Sequence, residues 1–226
     1  MAAIAIPALP LLLTAAALPL AAQNSQGQFW PELDIFANRG DRLRIVFIDS
    51  FEGQKVQFGC YLDIALKPVF RRELRNRDDV FRRRFLTFRA GYQYSTAVAN
   101  NDSSSENRAI AEATARYLLP GKLVVVDRNR GDFRFVKGQP FSMRYRNRLR
   151  VERDFAVAGL VFTPFAYDEI FYSTKYGAWN RNRYAAGVEF PAGSHVVVSP
   201  YLLRQRDTRA AVTYTNVLGL VLNLYF

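Results

Sequence analysis

Between Phe141 and Arg153 the chain reads FSMRYRNRLRVER, with arginine at every second position: Arg144, Arg146, Arg148 and Arg150. On a helix, residues two apart point about 200° apart, so this row would scatter around the cylinder. On a strand, period two gathers the guanidiniums on one face and Met143, Tyr145, Leu149 and Val151 on the other, where only Asn147 is polar. DRNRGDFR, Asp127 to Arg134, repeats the theme with Arg128, Arg130, Asp132 and Arg134. The chain therefore builds strands with one charged and one apolar face, and its architecture turns on which face meets water.

The same period runs through most of the sequence. Phe29–Ala37, Arg42–Asp49, Val56–Lys67 and Phe85–Ser95 read as strands, with a charge-dense connection at Arg71–Arg84 and a polar loop at Ala99–Ser105. Glu106–Leu119 alternates too, although its alanines also suit a helix. Leu123–Phe135, the arginine strand, Val161–Tyr172, Arg183–Phe190, Val196–Gln205 and Val212–Phe226 complete the series, separated by turns such as Pro120-Gly121-Lys122 and Pro191-Ala192-Gly193-Ser194. This segmentation yields eleven strands. Single-chain bacterial membrane barrels carry an even number, so ten or twelve is expected.

Met1–Ala22 differs from the rest. It has no charged side chain and ends in small residues before Gln23, the pattern of a secretory signal peptide, although a basic n-region is missing. The expected organisation is a signal peptide over 1–22 and one β-domain over 23–226. No later apolar run is long enough for a membrane helix. The single cysteine, Cys60, excludes an internal disulfide and any multi-cysteine metal site.

Alternating strands behind a leader fit two architectures. A secreted soluble barrel, taking an acidic ligand, would turn its arginines outward. An outer-membrane barrel turns its apolar face to lipid and its charges inward. Three features favour the second. Leu218, Leu220, Leu222, Leu224 and Phe226 share one face and end on an aromatic, which suits a signal to the barrel-assembly machinery. The faces assigned inward hold charges of both signs. Tyr92, Tyr94, Tyr117 and Tyr225 suit an interfacial aromatic girdle. The fold class expected is thus all-β, an antiparallel outer-membrane β-barrel of a Gram-negative-type bacterium.

The chain resembles the domain-of-unknown-function family 2490 (DUF2490) of outer-membrane barrels. The resemblance rests on Phe29-Trp30-Pro31-Glu32, Arg89-Ala90-Gly91-Tyr92, Glu106-Asn107-Arg108, Asp127-Arg128-Asn129-Arg130 and Arg144 to Arg148. Pro164 with Glu169, Gly187-Val188-Glu189 and the terminal Phe226 continue it, so it spans essentially the whole mature chain. Asp132 departs from the glutamate expected between the arginines. The resemblance implies an exported barrel and no known activity.

The candidate site is a charge network on the inward phase. It comprises Arg108, Glu112, Arg116, Arg128, Arg130, Asp132, Arg134, Arg144, Arg146, Arg148, Arg150, Glu152, Glu169, Arg183 and Glu189, with Arg89, Asp63 and Glu106 beside them. Buried guanidiniums need acceptors, and carboxylates offer them bidentate partners, which would brace the barrel and fix strand register. The net charge of +11 lies on arginine, so a cationic constriction passing small anions is the sharper reading.

Catalysis finds little support. An outer-membrane lipid hydrolase would need a nucleophile and base, and Ser194 or Ser199 with His195, the sole histidine, is the formal candidate. Adjacent strand residues point apart, and no Gly-x-Ser-x-Gly elbow occurs. Asp127, Asn129 and Asp132 evoke a calcium loop, but Arg128 and Arg130 would repel the cation. No enzyme, cofactor or metal is expected. Export and strict alternation also argue against nucleic acid, leaving outer-membrane lipid, the assembly machinery and small anions as partners.

Overall fold

The computed structural model describes residues 25–69, 80–98 and 105–226. The expected signal peptide, most of the Arg71–Arg84 connection and most of the Ala99–Ser105 loop lie outside these residues. The elements are β1 (Ser25–Arg39), β2 (Leu43–Glu52), β3 (Lys55–Val69), a 3-10 turn (Val80–Arg83) and β4 (Arg84–Ala97). Then come β5 (Ser105–Leu119), a second 3-10 turn (Pro120–Lys122), β6 (Leu123–Val136), β7 (Ser142–Arg153) and β8 (Phe155–Val157). The chain finishes with β9 (Leu160–Ser173), β10 (Ala178–Pro191), β11 (Val196–Asp207) and β12 (Tyr214–Tyr225).

Successive strands pair antiparallel, and the sheet closes on itself through β1 and β12. Closure removes the free edges that an open sheet of this length would expose. The alanine-rich segment is strand β5, since Ala109, Ala111 and Ala113 face out while Arg108, Ile110 and Thr114 are buried inside.

The even strand number is corrected. Twelve strands exist, but β8 continues β7 beyond Asp154 against the same partner, β9, and eleven staves form the ring. In an up-and-down meander of odd count, the first and last strands run the same way. They can meet only in parallel, and β1 pairs β12 parallel from Ser25↔Tyr214 to Phe36↔Tyr225. Ser25 and Tyr225 therefore lie at opposite ends of the barrel. Phe226 extends the seam: its N–H donates to the Phe36 carbonyl at 2.8 Å, and its carbonyl accepts from the Asn38 N–H at 2.8 Å.

The outer face carries the apolar phase. Phe47, Phe58, Leu62, Phe88, Leu149, Leu202 and Leu218 are all exposed there, as is Cys60. A polar patch on β6 and β7 interrupts it and satisfies itself. Asn147 Nδ2 donates to Asp127 Oδ1 at 2.7 Å, and the Tyr145 hydroxyl donates to Asn129 at 2.5 Å. Tyr225, expected in the girdle, instead points inward and stacks on Phe36 at 4.8 Å.

Inside, tyrosines lie across glycines of the neighbouring staves. A Cβ on Gly219 would stand 1.9 Å from the Tyr201 ring, so only glycine lets that ring lie flat against the wall. Gly91 makes the same room for Tyr61. Two apolar clusters, Phe36–Val46–Tyr61–Ile110–Val197–Tyr225 and Trp30–Ala185–Leu203–Val217, share the interior with the charges.

Candidate functional site

The interior faces of β6, β7 and β9 make the centre of the site. Register places Arg128 opposite Arg148 and Arg148 opposite Glu169, so the acid sits amid cations from two other staves. Glu169 is fully buried. It accepts from Arg128 Nη2 at 2.5 Å, pairs with Arg146 Nη2 at 2.9 Å and pairs with Arg148 Nη2 at 3.0 Å. Its own strand flanks it with aromatic platforms. Arg148 lies 4.2 Å over Tyr167, Arg150 4.0 Å over Phe165 and Arg146 4.8 Å over Phe171. The weakly hydrated, planar guanidinium suits such stacking in a way that lysine does not. This is the physical reason for a row of arginine rather than of any cation.

Satellite pairs surround the centre. Asp132 pairs with Arg130 at 2.6 Å, and Arg146 stands 3.9 Å away on its other side. Glu189 takes Arg150 and Arg82, each at 2.5 Å, while Glu152 takes Arg150 at 2.7 Å. Glu112 lies 3.8 Å from Arg128. Arg116 donates to the Thr87 hydroxyl at 3.2 Å. Arg183 reaches Glu52 at 3.3 Å and Gln205 at 2.7 Å, over Trp30. Glu106 receives both forks of Arg108 (2.6 and 3.0 Å) and of Arg134 (2.5 and 3.0 Å). Every sequence-selected member of the network thus faces the interior. Arg144 alone among them makes no hydrogen bond or ion pair with any described residue.

Several members of the network were missed. Arg44 joins Arg89 on the buried Asp63, at 2.7 and 2.6 Å, and is held between the rings of Phe36 and Phe81. The β2 phase that carries Arg44 also carries Val46 and Ile48, so alternation alone marks it as apolar. Phe81 is fully buried, and with Arg82 it enters the interior from the 3-10 turn before β4. No periodicity could place a turn inside the barrel. Arg181 pairs with Asp207 at 2.5 Å next to a register shift in β10. The inward Phe165, Tyr167 and Phe171 were legible, because they share the odd phase of Glu169.

Two cavities run through this interior. The first, lined by Arg128, Arg146 and Arg148 among others, has a volume of 320 Å³, and ten arginines and five carboxylates line it among the described residues. The acids of the central pairs, Asp63, Asp132 and Glu169, lie beneath their partners, so the walls present guanidinium more than carboxylate. The second cavity, of 360 Å³, lies at the end where β1 begins.

The remaining sequence candidates are dispersed. His195 Nδ1 sits 2.8 Å from the Tyr225 carbonyl, and its ring stacks on Phe226. Ser199 is buried within the barrel, where Asn223 Nδ2 approaches it at 3.5 Å. The two are not joined by a hydrogen bond among the described residues. Asp127 and Asn129 face outward while Asp132 faces inward, so these three cannot share one cation.

A family model described as "Protein of unknown function (DUF2490)" matches residues 81–216, more than half of the chain. The match starts after Phe29–Glu32 and stops before Phe226, so it covers less than the motif order implies. Among solved structures, the β-domain of the Bordetella autotransporter BrkA is similar at 14% identity and a TM-score of 0.45. The alignment covers 76% of this chain and 77% of that one. No curated protein matches.

Proposed function

The chain belongs to the DUF2490 family, whose description assigns no activity, and from the barrel interior we propose a non-catalytic outer-membrane barrel that admits small anions. The observation carrying the reading is the inversion of faces: aliphatic and aromatic side chains stand exposed outside, and ion pairs fill the inside. A soluble barrel would reverse this, since exposing a continuous apolar belt to water is costly. Arginine on a lipid-facing wall at mid-depth costs about 2–4 kcal/mol, so the inward phase is the one a membrane selects. The apolar Met1–Ala22 segment supports export, and the terminal Phe226 supports recognition by assembly machinery.

The network does two things. Paired charges brace the staves and fix their register, because a one-residue slip would drive Arg144, Arg146, Arg148 and Arg150 into lipid. The uncompensated guanidiniums leave the interior positive, and rings of arginine favour anions over cations. The hydrolytic reading is disfavoured by His195, whose Nδ1 is turned to the Tyr225 carbonyl and which makes no hydrogen bond to a serine among the described residues.

Refolded protein in planar bilayers under a potassium chloride gradient tests the proposal. The expected reversal potential has the sign of chloride preference, shrinking as salt shortens the Debye length from about 10 Å at 0.1 M. Preference for potassium would refute it.

A further inference from the structure

The cavity at the β1-entry end contains an arginine unlike the others. Arg108 and Arg134 both fork onto Glu106, and Arg181 forks onto Asp207. Arg144 lines the same cavity and makes no hydrogen bond or ion pair with a described residue. Its cross-strand partner in register is Ser173, which is fully buried and whose hydroxyl also lacks a partner. Lys55, an exposed residue on the rim of the same cavity, also makes no hydrogen bond or ion pair with a described residue. Buried polar groups are nearly always satisfied, so the buried Ser173 hydroxyl without a partner is unusual, and the half-buried Arg144 beside it keeps its guanidinium open to the cavity.

The local charge is one-sided. Arg108, Arg134, Arg144, Arg181 and Lys55 stand against Glu106 and Asp207, while Glu52 on the same wall is matched by Arg183. Three positive charges remain. One monocarboxylate would neutralise only one of them. A phosphate-bearing anion carries two or more charges on oxygens spaced to accept a guanidinium fork. The cavity volume of 360 Å³ is within the range of small-ligand sites, about 300–1,000 Å³.

We propose that this cavity binds a multivalent phosphate-bearing small solute, with Arg144 the open fork that takes its oxygens. The proposal rests on the anion-accepting reading of the interior and narrows it to a site that holds an oxyanion rather than merely letting chloride pass. Arg108 and Arg134 stay on Glu106 and supply field; Lys55 adds its charge at the rim.

The test is calorimetric titration of the refolded full barrel with sodium pyrophosphate, ionic strength held constant with sodium chloride. The expected result is one saturable site, weakened at least tenfold by Arg144→Gln. Arg206→Gln, a change on the exposed outer face, should leave affinity within twofold. Arg144 shares no carboxylate, so its removal strands no charge. Arg144→Lys keeps charge and fold and should retain only part of the affinity. Absence of a saturable site, or equal weakening by Arg144→Gln and Arg206→Gln, would overturn the proposal. Chloride preference without a pyrophosphate site would remove this inference alone. A pyrophosphate site in a barrel without anion preference would remove the passage reading alone.

Discussion

Replacing Glu169 with Gln removes the one carboxylate on which three arginines converge. Its contacts, 2.5 Å to Arg128, 2.9 Å to Arg146 and 3.0 Å to Arg148, are all charge-assisted, and the acid has no water-exposed surface. The amide keeps shape and one acceptor oxygen but leaves three guanidiniums facing one another. Hydrogen bonds to charged groups contribute about 1.5–3 kcal/mol each, yet they are not additive around a single acceptor. The better guide is the cost of breaking a buried pair by removing one partner, about 3–5 kcal/mol. With a urea dependence of about 2 kcal/mol per molar, the midpoint of the refolded barrel should fall by about 1.5–2.5 M. Arg148→Gln should cost less, because Glu169 retains Arg128 and Arg146. The double variant should be more stable than Glu169→Gln alone, since it relieves the repulsion that the single change creates. Urea titration followed by heat-modifiable gel mobility reads all three. A midpoint shift below about 0.5 M for Glu169→Gln would mean that the interior is too wet for pairing to matter, refuting the brace.

Leu149→Arg places a guanidinium on the outer face of the same strand and should destabilise the barrel by about 2–4 kcal/mol in lipid, read as a lowered urea midpoint. Gly219→Ala forces the Tyr201 ring out of its seat and should cost about 1–3 kcal/mol, as overpacking does. Gly27→Ala, with nothing within 4 Å of the new methyl, should fall within about 0.5 kcal/mol of wild type in the same assay. Deleting Phe226 removes both hydrogen bonds that extend the parallel seam and should lower the yield of folded barrel in outer-membrane fractions.

Period two carried the sequence reading a long way. It located all eleven staves of the ring and assigned Arg144, Arg146, Arg148 and Arg150 to one face, because strand geometry is local. The parity rule then overrode a correct segmentation, and nothing local reveals that β1 and β12 close in parallel. Which acid meets which arginine was equally hidden. Glu169 joins Arg128 across two staves, and that pairing follows from register summed around the ring rather than from spacing along it. Arg44 was lost because its phase neighbours, Val46 and Ile48, are apolar. The barrel accepts apolar residues inside as well, so hydrophobic alternation marks the outer face more reliably than the inner. Phe81 enters from a turn, where no period applies. Arg144 stood in plain view at the head of the arginine row, but only three-dimensional pairing distinguishes it from Arg146, Arg148 and Arg150, which each pair with an acid.

The orientation of the wall is the claim on which the rest depends, and Leu149 tests it most directly. A nitroxide attached to cysteine at position 149, in a Cys60→Ser background and reconstituted in bilayers, reports which medium the side chain touches. Leu149 is 51% exposed on the outer face, beside the inward Arg148. The account predicts strong relaxation by oxygen dissolved in lipid and little by a water-soluble nickel complex. Relaxation by the nickel complex alone would show this face in water, and the barrel would then be a soluble one with its arginines enclosed.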